Sequence, residues 1–285
     1  MGVEQGTSSG SSEADDAQRT AAASFMSYAS PLVEEAVSQM AELGEKAEVD
    51  AEILHRLRVA LRRLRALLWA YRPMLEPQHY ESHQALFKQL ADAAGSTRDW
   101  DIAIELIDRT QKNGATISGD LLNARAKALE LSRIALACDS AGAALRNALA
   151  DANAAQLAHD NSVSLQEFAD TRMTAAQHVF RKRMRKARRA KHPDDASLHE
   201  MRKAAKKVRY LREFFGPPLS TIKLKESKRL KRIHERLGAL NDVVASETLL
   251  DANRQLFSAP DSLRDAMRAL RKERKRCMRS AAELL

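Results

Sequence analysis

A histidine followed at fixed intervals by arginine and lysine is a set of hydrogen-bond donors with positive charge, the chemistry that grips oxyanions. This chain writes such a set twice. The first reads His55-x-x-Arg58-x-x-x-Arg62-Arg63-x-Arg65, the second His199-x-x-Arg202-Lys203-x-x-Lys206-Lys207-x-Arg209, with 144 residues between matched positions. Residue types that would make or break bonds are missing from the pattern. No Gly-rich loop ends in Lys-Ser or Lys-Thr to cradle a nucleotide, and no His-Glu-x-x-His or paired-cysteine motif supplies a metal centre. The stripe positions themselves hold no carboxylates for the Mg²⁺ that phosphoryl transfer uses. The expectation is a binding protein with no catalytic residues, metal ligands or cofactor.

Helix geometry gives the spacing its meaning. At about 100° per residue, His55, Arg58, Arg62 and Arg65 share one arc of roughly 80°. Leu54, Leu57, Leu61, Leu64 and Leu68 occupy a neighbouring arc with the 3-4 spacing of a bundle seam. The cations therefore flank the core, which predicts that they face a groove between helices. Arg56 and Arg63 fall further round and read as solvated charges. His199, Arg202, Lys206 and Arg209 repeat the layout beside Leu198, Met201, Ala205 and Val208. A third series, His178, Arg181, Arg185 and Arg188, has the same spacing, and the matched positions of the first half hold Glu34, Val37, Ala41 and Gly44. Three stripes in one register predict a shared anion surface, with more of the positive charge in the second half.

The elements that must position these residues are helices. Ala, Leu, Arg, Lys and Glu dominate, Gly and Pro are few, and alternating β-branched runs are nearly absent. The fold class is all-α. Helical patterns fall near 19–43, 51–72, 77–94, 98–112, 120–136 and 140–158, then near 163–191, 195–215, 221–237, 241–257 and 261–283. Pro73 and Pro77 end the second of these, and Asp194-Asp195 opens the stretch containing His199. Gly95-Ser-Thr-Arg98-Asp99 and Gly238-Ala-Leu-Asn241-Asp242 form a second duplicated block, 143 residues apart, read as breaks between helices. Two blocks in one order and at one separation indicate an internal repeat of about four helices per copy. The expected division is a disordered leader at 1–18, a first half at 19–158 with extra helices, and a second half at 159–285 with the C-terminal helix.

Charge is segregated along the chain. The net +9 understates it, because residues 1–50 carry ten acidic and two basic side chains, whereas 171–232 carries twenty-one Lys and Arg against five Asp and Glu. Such a field attracts polyanions. Cys138 and Cys277 are the only cysteines and suggest no disulfide scaffold. No apolar run approaches a membrane span and the N-terminus has no hydrophobic signal core, so a cytoplasmic protein without membrane contact is expected.

At the two stripes and the two Gly…Asp blocks the chain resembles the CHAD family, the histidine-containing α-helical domain, over most of residues 20–280. The resemblance implies two four-helix bundles related by a pseudo-two-fold, with a basic groove or pore between them. It implies binding of inorganic polyphosphate and association with polyphosphate granules and their proteins. Many relatives carry a triphosphate-tunnel domain with a Glu-x-Glu-x-Lys motif; that motif does not occur in these residues, so the likeness is to a stand-alone CHAD protein. The site implied is His55, Arg58, Arg62, Arg65, His178, Arg181, Arg185, Arg188, His199, Arg202, Lys203, Lys206, Lys207 and Arg209.

The composition suits that ligand. Polyphosphate is a flexible chain of anions without bases, so it needs many cations and no stacking platform. Aromatics are 5% of the chain, and none interleaves the first stripe. Modules for single-stranded nucleic acid combine cations with stacking rings, so nucleic-acid binding is expected to be weak and nonspecific. A general nucleic-acid or nucleoid-binding protein is the alternative, and a polyphosphate-processing enzyme a more distant one. His55 and His199 either donate to a phosphate oxygen, more strongly at lower pH, or bond a neighbouring helix structurally. Asp99 and Asp242 read as partners of a stripe cation or as caps.

Overall fold

The computed structural model describes residues 19–46, 50–110, 119–157, 163–190, 194–216, 224–257 and 260–285. Among these, the chain forms nine α-helices and no strand: α1 (Ala21–Glu45), α2 (Ala51–Tyr71), α3 (Pro77–Thr110), α4 (Gly119–Leu136), α5 (Asp139–Leu157), α6 (Leu165–Arg189), α7 (Asp195–Phe215), α8 (Leu224–Ala252) and α9 (Pro260–Ala282). The leader expected at 1–18 lies outside the described residues, as does the boundary expected at 158/159.

Side-chain caps fix four of the starts. Thr20, Asp50, Ser164 and Asp194 stand in extended backbone and accept from Ala23, Glu52, Glu167 and Ser197 amides at 3.2, 3.0, 3.2 and 2.8 Å. Each satisfies a donor that the first helical turn leaves free, as expected for Asp194. Proline sets the close of α2, which tightens into a 3₁₀ turn at Arg72–Met74 before α3 begins at Pro77.

Two helices are longer than the sequence pattern indicates. The expected breaks at Gly95 and Gly238 do not occur, and both glycines stand inside uninterrupted helices, α3 and α8. A helical glycine costs only about 1 kcal/mol relative to alanine, which packing on both sides of it outweighs. Each copy of the repeat is thus three helices, α1–α3 and α6–α8, where four were expected. The next helix in each half packs on the long one, α4 on α3 and α9 on α8, and α5 returns to pack on α1.

The halves meet like with like. Helix α1 touches α6, α2 touches α7 and α3 touches α8. At the helix starts, Ala21 N–H donates to the Val163 carbonyl at 3.1 Å, and Leu165 N–H donates to the Arg19 carbonyl at 2.9 Å. Moving Ala21 forward and Val163 back by 144 gives Leu165 and Arg19, the second pair with donor and acceptor halves exchanged, as a two-fold relation requires. Beside it, Tyr71 packs on Phe215, its counterpart at the same offset, with ring centroids 6.4 Å apart. Phe25, Tyr28, Phe168 and Phe214 complete an aromatic seam between the halves. Tyr71 and Phe215 are fully buried, and the Tyr71 hydroxyl donates to the Ala21 carbonyl at 3.1 Å. Six of the thirteen aromatics of this chain thus meet where the repeat closes on itself, and burying each such ring contributes about 1.5–3 kcal/mol.

Candidate anion-binding site

The leucines beside the first stripe behave as their spacing demands. Leu54, Leu57, Leu61, Leu64 and Leu68 are all buried, and so are Leu198, Met201, Ala205 and Val208 on α7. Their neighbouring arcs, carrying the cations, are thereby turned toward the space between α2, α3, α7, α8 and α9. There they line a cleft of about 610 Å³. Its walls hold repeat-related pairs from both halves: Arg58 with Arg202, Arg62 with Lys206, Asp99 with Asp242, Arg98 with Asn241, and Ile102 with Ala245. The cleft lies where the two-fold relation brings the copies face to face.

Among the described residues, eight Arg and Lys side chains line the cleft against five Asp and Glu. The carboxylates come from α3, α8 and α9, so the absence of carboxylates expected from the stripes alone does not describe the assembled site. Several are committed to cations already. Asp99 accepts from Arg58 Nη1 at 2.8 Å, the pairing expected of it, and Glu273 binds Arg276 at 2.5 Å with Arg109 at 4.0 Å. Among the described residues, no group of three or more His, Cys, Asp and Glu side chains is arranged to hold a metal ion.

The centre of the cleft is different. Among the described residues, Arg62, Arg202 and Lys206 are half-buried yet have no ion pair and no side-chain hydrogen bond, and the Nε atoms of Arg62 and Arg202 are buried without a partner. Packing like charges into partly desolvated space favours their neutral forms. Burial, with Arg202 and Arg62 beside it, pulls the Lys206 ammonium down to about 7, although Asp242 opposes the shift. Burial likewise lowers the Arg202 guanidinium against the pull of Asp242. His234 is pushed down to about 4, first by burial and then by Arg209 and Lys206. Its Nε2 stands 3.2 Å from Arg209 Nη1, so the neutral ring accepts there and carries its proton on Nδ1. His55 is lowered by burial and then by Arg98, the direction expected for a histidine among cations.

The sequence-predicted residues divide into three groups. His55, Arg58, Arg62, Arg202, Lys206 and Arg209 line the cleft together. His199, Lys203, Lys207 and Arg65 are engaged elsewhere. His199 Nδ1 is 2.9 Å from Asn241 Oδ1 across to α8, Lys203 pairs with Glu200, and Lys207 sits 4.2 Å over the Trp69 ring. Arg65 faces Gln84, whose side-chain amide donates to the Arg65 carbonyl at 2.9 Å. Arg63 is not a solvated charge: it is half-buried between the halves, 3.7 Å from Glu213 and over the Phe214 ring. The third stripe stands apart, because α6 turns it outward. His178, Arg181, Arg185 and Arg188 are exposed; Arg188 donates to the Leu285 carbonyl and Arg181 borders a small apolar hollow on α7 and α8. Three stripes in one register therefore yield one cleft built from two of them.

Other cleft residues escaped the stripe pattern. Arg98 sits in the second duplicated block and could have been found by aligning the copies, where Asn241 replaces it. Arg109 and His234 left no such trace, because their repeat counterparts are Ala252 and Ala91. Arg276 comes from α9, outside the repeat.

Residues 32–251 match the family model of the CHAD domain. The chain belongs to the CHAD family. The crystal structure of the CHAD domain from the plant Ricinus communis superimposes with a TM-score of 0.74 at 24% identity, covering 95% of this chain and 94% of that one. PptA from Streptomyces chartreusis is similar with a TM-score of 0.59 at 17% identity, covering 93% of this chain and 96% of that one. No curated protein gives a significant match. Both likenesses establish the all-α CHAD fold, and no described helix of this CHAD protein is long and apolar enough to cross a membrane.

Proposed function

We propose that this CHAD protein binds inorganic polyphosphate in the cleft between its halves and does not hydrolyse it. The CHAD family is generally linked to polyphosphate. The observation that carries the reading is the trio Arg62, Arg202 and Lys206, half-buried and without an ion-pair partner among the described residues, in a cleft of about 610 Å³. A chain of phosphates would supply oxygens to all three and restore the electrostatic balance lost on burying them. Among the described residues, Tyr210 is the only Phe, Tyr or Trp on the cleft wall and is 4% exposed, so bases would find no stacking platform there. The Arg-bound state of Asp99 and Glu273 supports binding without metal-dependent chemistry. Association with polyphosphate granules in the cytoplasm, and with proteins there, is part of the same proposal.

Calorimetric titration with long-chain polyphosphate, beside duplex DNA at equal phosphate concentration and physiological salt, tests it. Saturable binding of polyphosphate with much weaker DNA binding is the expected result. Equal affinity for both would make the protein a general polyanion binder. Shortening of the chains on addition of Mg²⁺ would make it an enzyme.

A further inference from the structure

We propose that the outward face of α9 is a second polyphosphate contact, continuous with the cleft, which holds the chain after it leaves the cleft and makes affinity depend on chain length. This rests on the cleft being a polyphosphate site. Helix α9 buries Ala266, Leu270, Cys277 and Ala281 on one side. On the opposite side it presents Arg264, Arg268, Arg271, Lys272 and Lys275, all exposed, which among the described residues alone line an open depression of about 380 Å³. Arg264 and Arg268 pair with Asp261 and Asp265 one turn back. Among the described residues, Arg271, Lys272 and Lys275 have no ion pair and no side-chain hydrogen bond.

The geometry joins this face to the cleft. Arg276 lines the cleft wall, and Lys272 stands four residues before it, one turn along the same edge of the helix. From Lys275 back to Arg264 the cationic stripe runs about 16 Å at ~1.5 Å per residue. A chain emerging past Arg276, which Glu273 holds, next meets Lys272, Arg271 and Lys275, and only then Arg268 and Arg264 with their partners Asp265 and Asp261. Glu273, the one carboxylate between Arg271 and Arg276, is buried toward the cleft, so the exposed side chains Arg271, Lys272 and Lys275 of that stretch are all cations.

The test compares tripolyphosphate, short enough to occupy the cleft alone, with long-chain polyphosphate. The variant Arg271→Gln/Lys272→Gln/Lys275→Gln alters only exposed side chains, and Lys88→Gln/Lys127→Gln/Lys182→Gln removes the same charge from exposed positions on other helices. The α9 variant is expected to bind tripolyphosphate as the wild type does. Its affinity for the long chain should fall roughly tenfold, and the salt slope should shrink by about 2, the value for three lost contacts to a single-stranded polyanion. The remote variant should change neither by as much. Equal losses in both variants would reduce the effect to net charge, and an unchanged long-chain affinity and salt slope in the α9 variant would show a merely solvated face; either outcome overturns the proposal. Failure of the wild type to bind either polymer would instead remove the cleft assignment on which the proposal stands.

Discussion

At the scale of single residues, the cleft trades stability for affinity. Lys206 is held near 7 in the free protein against 10.5 for an unhindered lysine, so the folded state binds fewer protons than the unfolded state between those values. Stability therefore rises with pH through that window, and the full cost of the charge is present below it. Replacing Lys206 by Met should stabilise the protein most at pH 6, by several kcal/mol at about 1.4 kcal/mol for each pKa unit, and progressively less as pH approaches that of a free lysine, read from denaturant unfolding at several pH values. The same change should weaken polyphosphate binding. A bound phosphate chain raises the Lys206 pKa, so wild-type affinity should fall as pH rises from 7 to 9, with proton uptake on binding. Calorimetry in buffers of different ionisation enthalpy would detect that uptake, and its persistence in Lys206→Met would assign it to another group. His234, near 4, lies below this range and contributes stability that rises between about 4 and its unfolded value of 6.5. Arg62→Gln with Arg202→Gln should lower affinity at least about tenfold, since each charge-assisted bond is worth ~1.5–3 kcal/mol. Arg56→Gln, an exposed change beside Glu52, should alter it less than about twofold.

At the scale of elements, the two long helices set the cleft's inner wall, and glycine marks where each passes it. At Gly95 the Arg58 guanidinium lies against the helix, 3.6 Å from where a Cβ would stand, and Arg58 Nη1 lies 3.4 Å from the Gly95 carbonyl oxygen. The small residue thus seats the cation that Asp99 also holds. At Gly238 nothing lies within 4 Å of a Cβ. Gly238→Ala should therefore stabilise α8 by about 0.5–1 kcal/mol through helix propensity alone, seen as a raised melting temperature. A lowered melting temperature would mean that the glycine serves the backbone and not the open space beside it. The repeat blocks were legible in the sequence because charge and order were duplicated. Their placement inside helices was not, because an isolated glycine signals a break and an interior position equally well.

At the scale of the whole molecule, the site exists only when the halves are closed. Residues from both copies line the cleft, and the aromatic seam through Tyr71 and Phe215 holds the copies together. Phe215→Ala should cost about 3–5 kcal/mol, measured by denaturant unfolding, and should reduce polyphosphate affinity although Phe215 lies outside the cleft. Full affinity at reduced stability would show that the cleft does not depend on the seam. His55 and His199 display what closure does to duplicated residues. His55 lines the cleft beside Arg98, whereas His199 stands behind the wall and bonds Asn241, the repeat counterpart of Arg98.

The sequence by itself determined the helical class, the duplication and the arcs on which cations flank leucines, because periodicity and spacing are local and survive without any knowledge of packing. It also pointed to the CHAD family and to six of the residues that line the cleft. Only the tertiary structure decided which stripes face each other. The outward turn of His178, Arg181, Arg185 and Arg188, the engagement of Lys207 with Trp69, and the arrival of Arg109, His234 and Arg276 all follow from contacts between helices distant in sequence. A helix pattern specifies which face is polar; which neighbour that face meets is fixed only when the apolar seams of the whole chain are buried together.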